Sequence, residues 1–355
     1  MAARRPDQSV TEELTIWDSV AFAWLFPLVV GRWLVYYTFC KNAVLHWRQR
    51  LALTFLQAQR ANFPTRHLRW LVRHGSTRAA IQRYCDRHSI PHKTTTLDAT
   101  STSDNPSLSI PPPTLHMLTP NTPHGSGSTL FYLHGGGYVN PLRGAAHCLS
   151  SCSVPPLVMQ RKSSFSTALR YLVEGMSVQP EDVILAGDSA GGQLVAALLA
   201  HLARPSPYAA PLVVRGQFRA ALLVSPFTRL PTDAGSYESN DGKDYLSRAQ
   251  VAGFKAAWKG REDEVWANLC GGGGAAEIWK EVFAGSTDGL VKKHVGAEMV
   301  MAGCDTDWRV LEGKTSVLVE CEGEVHVQVA VDYVVGYGRG TMLRAIMAWL
   351  LTTNS

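Results

Sequence analysis

Short apolar runs recur along the chain from residue 129 onward, and each is four to six residues long. They lie at 129–133, 183–186, 220–224, 298–303 and 316–320. Runs of this length between glycine-rich or polar segments are typical of buried strands in a parallel sheet. Apolar positions at helical spacing occupy three segments among them, at 165–175, 193–203 and 249–258. The pattern predicts an α/β fold with a mostly parallel central sheet and helices on both faces.

A change in composition divides the chain near residue 97. Residues 98–128 are rich in Ser, Thr, Pro and Gly, as loops are, and they contain one short apolar segment suited to an edge strand. We therefore predict an N-terminal helical segment over 1–97 and a larger domain over 98–355. The 355 residues are 46% hydrophobic and 18% charged, which excludes a wholly disordered chain.

The N-terminal segment contains an apolar stretch at 20–40, interrupted by Pro27 and Arg32. Its length suffices to span a bilayer, and it predicts a membrane anchor or a helix lying in the membrane interface. The alternative is an apolar helix packed on the larger domain. A cleaved signal peptide is not predicted, because acidic residues precede the stretch and no small-residue cleavage site follows it directly.

Basic residues are concentrated directly behind this stretch. The net charge of the whole chain is only +5, yet nine arginines lie between Arg48 and Arg87 against one acid, Asp86. Leucines and aromatic residues alternate with the arginines, which favours the surface of an anionic membrane. A solvated helical face is the alternative, and no groove-reading motif accompanies the arginines to indicate nucleic acid. We predict a membrane-associated protein, with the endoplasmic reticulum as candidate compartment and the cytoplasm as the alternative.

The seven cysteines indicate neither a disulfide framework nor a metal site. They are scattered and odd in number, and the one close pair, Cys148 and Cys152, has no second pair to complete a zinc site. We therefore predict no bound metal.

Two glycine-rich motifs follow predicted strands and carry the candidate chemistry. His134-Gly135-Gly136-Gly137-Tyr138 follows the run at 129–133, and Gly187-Asp188-Ser189-Ala190-Gly191-Gly192 joins the run at 183–186 to the helix at 193–203. Strand, G-x-S-x-G and helix in this order predict a nucleophile elbow that presents Ser189. The amide of Ala190 and those of Gly135, Gly136 and Gly137 can converge on one oxyanion, and removal of a single donor of this kind costs about 3–4 kcal/mol.

These motifs resemble those of the hormone-sensitive-lipase branch of the α/β-hydrolases, which includes arylacetamide deacetylases and fungal steryl-acetate hydrolases. Ser225-Pro226-Phe227 after the run at 220–224 supports the resemblance, which covers roughly residues 120–350. It implies ester hydrolysis by a Ser-His-Asp triad without a cofactor. It also implies oxyanion donors at Gly135, Gly136, Gly137 and Ala190, with Gly136 and Gly137 favoured among the glycines.

The other triad members are expected in the order Ser, Asp, His along the chain. His326 follows the run at 316–320 in a glycine turn and is the predicted general base. Asp305 and Asp307 both follow the run at 298–303. Family patterns favour Asp305 as the acid, but the run from Asp305 to Arg309 departs from the family motif, so Asp307 remains open.

Two intervals are shorter than in the family. Gly137 and Ser189 are 52 positions apart, and Asp305 and His326 are 21 apart. The first interval is expected to lack a central strand, of which 157–160 is the only remnant, and the second leaves little room for a crossover helix. A compensated divergent enzyme, an inactive remnant and wrongly joined coding segments all explain this shortening.

Residues 229–283 occupy the usual place of a cap over the pocket, and their apolar residues suggest a hydrophobic substrate. We predict a serine esterase acting on an acetyl or short acyl ester of a small hydrophobic molecule, such as a sterol or a fungal secondary metabolite. One alternative is a transacylase or lactone-forming enzyme that uses the same triad. The other is a non-catalytic binding protein on a decayed hydrolase scaffold.

Overall fold

A computed structural model describes most of the chain. The described residues are 16–40, 42, 44–63, 77–97, 114–119, 127–138, 156–159, 165–207, 209, 211–240, 242–271, 274–282, 299–302, 316–319 and 321–353.

Eight strands form one sheet in the order β1-β2-β4-β3-β5-β6-β7-β8. The pairs β1–β2 and β2–β4 are antiparallel, and the pairs from β4–β3 to β7–β8 are parallel. The strands are β1 (His92–Thr96), β2 (Thr114–Leu118), β3 (Thr129–Leu133), β4 (Pro156–Met159), β5 (Val183–Asp188), β6 (Ala220–Val224), β7 (Met299–Ala302) and β8 (Ser316–Val319).

Helices precede the sheet and connect its strands. They are α1 (Ile16–Thr38), α2 (Trp47–Asn62), α3 (Thr77–His88), α4 (Phe165–Arg170), α5 (Ala190–Ala203), α6 (Ser236–Ser239), α7 (Arg248–Trp258), α8 (Ala275–Val282), α9 (Gln328–Val334) and α10 (Thr341–Thr353). A π-helical turn, Tyr171–Gly175, continues α4, and a short 3₁₀ helix, Pro180–Asp182, leads into β5.

The core lies on both faces of the sheet, because successive strand residues point in opposite directions. Leu185 of β5 faces a cluster that includes apolar residues of α5 and α8, whereas its neighbour Ile184 faces a cluster with α3, α9 and α10. Every residue of β5 and β6 is buried. The predicted α/β fold with helices on both faces of a mostly parallel sheet is therefore confirmed.

The central strand expected to be missing is present. Residues 156–159 form β4, which pairs in parallel with β3 and antiparallel with β2. Since β5 lies between β3 and β6, the short interval before Ser189 does not open the sheet beside the elbow. The second short interval is also compatible with the sheet, since β7 and β8 pair in parallel. The connection between them, residues 303–315, lies outside the described residues.

The N-terminal helices α1 and α2 form a hairpin. Val29 of α1 packs with Ala58 and Phe63, and the Trp33 Nε1 donates a hydrogen bond to the Leu51 carbonyl oxygen. Within the part of the chain that the structure describes, no helix combines the length and the apolar character needed to cross a bilayer. The expected transmembrane span over 20–40 is therefore not supported.

Candidate active site

The candidate nucleophile Ser189 lies between the carboxyl end of β5 and the first residue of α5. Its backbone has φ 52° and ψ −119°, a conformation that a non-glycine residue adopts only under constraint. Two backbone hydrogen bonds supply that constraint. The Ser189 amide donates to the Val224 carbonyl oxygen at 2.8 Å, and the Phe227 amide donates to the Ser189 carbonyl oxygen at 3.0 Å.

Glycines make this turn sterically feasible. A Cβ on Gly191 would lie 1.8 Å from the Leu133 carbonyl oxygen at the end of β3. A Cβ on Gly187 would lie 2.5 Å from the carbonyl carbon of Gly191. The start of α5 thus approaches the sheet backbone more closely than any side chain permits, and this contact fixes the position of Ser189.

The structure brings His326 to Ser189. The His326 Nε2 lies 2.9 Å from the Ser189 Oγ, although the two residues are 137 positions apart. Residue 326 lies in the turn between β8 and α9, and residue 189 follows β5. Two carboxyl ends of parallel strands, at the same edge of the sheet, therefore deliver the two side chains.

The predicted triad acids cannot be placed. Asp305 and Asp307 both lie in 303–315, outside the described residues. The strand before them, β7, is the neighbour of β8 and ends at Ala302. Asp305 and Asp307 thus follow β7 in sequence, as His326 follows the neighbouring strand β8.

The oxyanion motif follows β3, which is hydrogen-bonded to the elbow strand β5. Gly136 and Gly137 have φ values of 107° and 56°, and a backbone conformation with positive φ favours glycine. Ala190 opens α5, and the first amides of a helix have no acceptor within it. The amides of Gly136, Gly137 and Ala190 are therefore the candidate donors to an oxyanion.

Gly135 has a different task from the one predicted. Its amide donates to the Asp188 Oδ1 at 2.7 Å, and the Tyr132 hydroxyl donates to the same oxygen. An N–H held by a buried carboxylate does not point at a reacting carbonyl group, which corrects the assignment of Gly135 to the oxyanion hole. His134 is buried, and its Nδ1 lies 2.7 Å from the Gly135 carbonyl oxygen.

The cap segment 229–283 contains α6, α7 and α8 and touches the oxyanion motif directly. A Cβ on Gly137 would lie 2.7 Å from the Phe254 ring of α7. The Tyr138 ring stacks on Trp258, with ring centroids 4.0 Å apart and an interplanar angle of 12°. Aromatic side chains of the cap therefore cover the glycine turn.

Sequence reasoning missed two acidic residues at this site. The sequence alone assigns no role to Asp188. In the structure its carboxylate accepts the Gly135 amide hydrogen and so connects the glycine turn after β3 to the turn that carries Ser189. Asp244 lies in the cap segment, and its Oδ2 accepts the His326 amide hydrogen at 2.7 Å. The position of Asp188 directly before Ser189 could have indicated that its carboxylate lies at the site. No sequence pattern connects Asp244 to His326. Among the described residues, no group of three or more His, Cys, Asp or Glu side chains is arranged to hold a metal ion.

Comparison with known proteins agrees with the fold. Residues 163–327 match a family model described as an α/β-hydrolase fold. No curated protein is significantly similar in sequence.

Solved structures resemble the chain at low identity. An esterase from the bacterial hormone-sensitive-lipase family is 16% identical with a TM-score of 0.58, over 88% of this chain and 99% of that one. An esterase/lipase from an uncultured bacterium is 16% identical with a TM-score of 0.54, over 75% and 85% of the two chains. Carboxyl esterase 2 from the mycorrhizal fungus Tuber melanosporum is 15% identical with a TM-score of 0.53, over 75% and 86%.

At such low identities, the similarity to the solved structures shows the fold alone. The segment that matches the family model, residues 163–327, contains both Ser189 and His326. The chain therefore has an α/β-hydrolase fold, and the solved structures that it resembles include an esterase of the bacterial hormone-sensitive-lipase family.

Proposed function

We propose that the protein is a serine hydrolase that cleaves carboxylic esters. The observation that carries this proposal is the 2.9 Å contact between the His326 Nε2 and the Oγ of a strained Ser189. In that geometry the imidazole can take the hydroxyl proton while the oxygen attacks an ester carbonyl carbon. Asp305 or Asp307 would orient the imidazole and stabilise its cation.

The reaction would run in two halves. As the Ser189 oxygen bonds to the carbonyl carbon, negative charge develops on the carbonyl oxygen, where the amides of Ala190, Gly136 and Gly137 can donate to it. The ester C–O bond then breaks, and His326 returns its proton to the leaving alcohol. Water, deprotonated by His326, releases the acid from the acyl-serine.

Labelling by a fluorophosphonate tests the activated serine, and hydrolysis of p-nitrophenyl acetate and butyrate tests turnover. Ser189→Ala should abolish both, whereas Ser239→Ala, in the exposed part of the cap, should leave both unchanged. Equal hydrolysis by the parent and Ser189→Ala would contradict the proposal. It would favour the non-catalytic binding protein, as would a parent that the probe does not label.

For the substrate, we propose a small hydrophobic ester such as an acylated sterol or secondary metabolite. The aromatic residues around the glycine turn, Tyr138, Phe254 and Trp258, support an apolar acyl or alcohol group. Competition between p-nitrophenyl butyrate and acetylated sterols of graded size would test this. Adding an acceptor alcohol and determining the product masses separates the transacylase and lactone-forming alternative. Hydrolysis releases the alcohol and transfers the acyl group only to water, as the free acid, whereas a transacylase forms a new ester.

We also propose that the α1–α2 hairpin binds the surface of an anionic membrane, with the cytoplasm as the alternative location. Large apolar side chains are exposed along α1; they are Trp17, Val20, Trp24, Phe26, Leu28, Leu34 and Val35. Trp24 is 76% exposed and Leu34 is 61% exposed.

Charge favours the same partner. No acidic residue occurs from 19 to 85, while nine arginines and one lysine do. A helix with exposed tryptophan and neighbouring arginines suits the interface of anionic lipids, where each basic residue near the surface contributes about 1 kcal/mol.

Co-sedimentation with phosphatidylcholine vesicles, with and without phosphatidylserine, tests this proposal. The parent should bind the anionic vesicles and lose binding at high salt. A Trp24→Ser, Leu28→Ser variant should bind at least tenfold more weakly. Val213→Ser, which changes an equally exposed apolar residue far from α1 in sequence, should bind as the parent does. A parent that does not bind vesicles and elutes as a dimer would instead show that a second copy covers the exposed apolar side chains of α1.

A further inference from the structure

Side chains hold the backbone of the His326 turn at three consecutive amides. The Val325 amide donates to the Gln328 Oε1 at 3.1 Å, the His326 amide to the Asp244 Oδ2 at 2.7 Å, and the Val327 amide to the Ser225 Oγ at 3.1 Å. Gln328 begins α9 and Ser225 follows β6, but Asp244 comes from the cap segment. The turn is thus fixed from three directions.

The turn needs such support because it is strained. Val327 has φ 46°, in the left-handed region that a β-branched residue rarely enters. Backbone strain of this kind persists only where the surroundings over-determine it. A turn released from its partners would relax, and the imidazole that it carries would move away from Ser189.

Asp244 is built into the structure as an acceptor of amides. Its Oδ1 accepts from the Leu246 amide at 2.9 Å while its Oδ2 accepts from His326. Burial raises the pKa of the carboxyl group, and the amide hydrogen bonds together with the charge of Arg60 act in the opposite direction. Burial has the larger effect, so the pKa of Asp244 lies above its ordinary value, and the two amide hydrogen bonds are the contacts that hold the carboxyl group in place.

Helix α2 contacts the backbone of the segment that contains Asp244. The Gln57 Nε2 donates to the Gly242 carbonyl oxygen at 3.0 Å and to the Asp244 carbonyl oxygen at 2.9 Å. The Arg60 guanidinium lies over the Tyr245 ring, 4.6 Å from its centroid, and that ring meets the His326 ring edge-on at 6.2 Å. The N-terminal hairpin is therefore connected to the candidate general base through the cap.

We propose that Asp244 is a positioning residue for His326, and that Gln57 of α2 keeps it in place. The proposal rests on the proposed function, since it concerns the same histidine. The α1–α2 hairpin then has a second role besides the proposed membrane binding, because Gln57 of α2 supports the segment that holds His326. Asp244 touches neither the Ser189 Oγ nor the imidazole nitrogens in this arrangement, so it acts only through the backbone of His326.

Asp244→Asn tests the proposal directly. The amide nitrogen that replaces one carboxylate oxygen cannot accept a hydrogen bond, so either the Leu246 amide or the His326 amide loses its partner. A misplacement of about 1 Å costs roughly a hundredfold in rate. We therefore expect the fluorophosphonate labelling rate and kcat to fall 10- to 100-fold. KM should change less than about threefold, because the aromatic residues proposed to contact the substrate, Tyr138, Phe254 and Trp258, are unchanged. Glu238→Gln, an exposed carboxylate of the same cap segment, is the matched control and should leave the rate unchanged.

Two further measurements keep the test decisive. Gln57→Met removes the hold on Asp244 from a partly exposed position that folding should tolerate, and it should slow labelling several-fold without lowering the melting temperature. Histidine NMR reports on the imidazole without turnover, since Asp244→Asn should shift the resonance that disappears in His326→Ala and leave other histidines unmoved.

The outcomes separate the two proposals. Labelling within threefold of the parent in Asp244→Asn, or an unmoved His326 resonance, would overturn the positioning role. A shifted resonance in a protein that no probe labels would uphold the positioning and refute the esterase.

Discussion

Gly191→Ala places the smallest possible side chain at the closest approach between α5 and the sheet. The new Cβ would meet the Leu133 carbonyl oxygen at 1.8 Å, the Leu133 carbonyl carbon at 2.5 Å and the His134 carbonyl carbon at 2.8 Å. All three atoms belong to the backbone, so no side-chain rotation relieves the contact. An ordinary contact begins at 3.4 Å, and α5 must therefore move by about 1.6 Å relative to the end of β3.

This movement has two measurable consequences. Overpacking of a well-packed core costs about 1–3 kcal/mol, and for a chain of this length the melting temperature should fall by about 1–2 °C for each kcal/mol. Ser189 begins the displaced helix, so the distance from its Oγ to the His326 Nε2 changes as well. A displacement of more than 1 Å lowers the rate by about a hundredfold.

Gly253→Ala is the matched control. Gly253 lies inside α7, and a Cβ there would meet nothing within 4 Å. Since Ala is the better helix former, this change should stabilise the protein by up to about 1 kcal/mol. Gly191→Ala should therefore lower both the melting temperature and the rate of fluorophosphonate labelling. Gly253→Ala should raise the melting temperature slightly or leave it unchanged, and it should leave the labelling rate unchanged. A Gly191→Ala variant that melts and reacts like the parent would refute the steric argument for the elbow.

The remaining predictions concern buried groups. Burial raises the pKa of Asp332, against hydrogen bonds from Gln49 and Gln328. In the unfolded chain this carboxyl group has a pKa of about 4, and in the folded protein its pKa is higher. The free energy of unfolding therefore decreases as the pH rises from about 4 through the pKa of the folded protein. Asp332→Asn should gain free energy of unfolding relative to the parent between pH 4 and pH 7 in urea titrations; a pH-independent difference would contradict this. Burial raises the pKa of the Cys85 and Cys321 thiols to about 11. At pH 8 roughly a thousandth of each is thiolate, so iodoacetamide should modify both only after unfolding, as mass spectrometry would detect.

Local sequence determined the elements nearest the chemistry. The runs at 129–133 and 220–224 coincide with β3 and β6, and the run at 183–186 lies within β5. Their apolar residues are buried on both faces of a parallel sheet, so a continuous hydrophobic run is sufficient signal. Strand, G-x-S-x-G and helix likewise identified the elbow, because close backbone approach demands glycine at Gly187 and Gly191. His326 was identified by its place after a late strand.

Other features depended on the tertiary structure. From the sequence, 157–160 is only the remnant of a missing strand, and the pairing of 156–159 with β2 and β3 shows that these four residues complete the sheet as β4. The amide of Gly135 could be assigned only when the Asp188 carboxylate was seen to accept it. Asp244 is 82 positions from His326, and the hydrogen bond that joins them follows from how the cap folds over the sheet.

The sequence by itself therefore determined the parallel core, the candidate nucleophile and the histidine that lies beside it, because hydrophobic runs and glycine constraints act over a few residues. The tertiary structure decided which amides and carboxylates meet. A hydrogen bond between distant segments depends on the packing of the whole domain, and no local pattern encodes it.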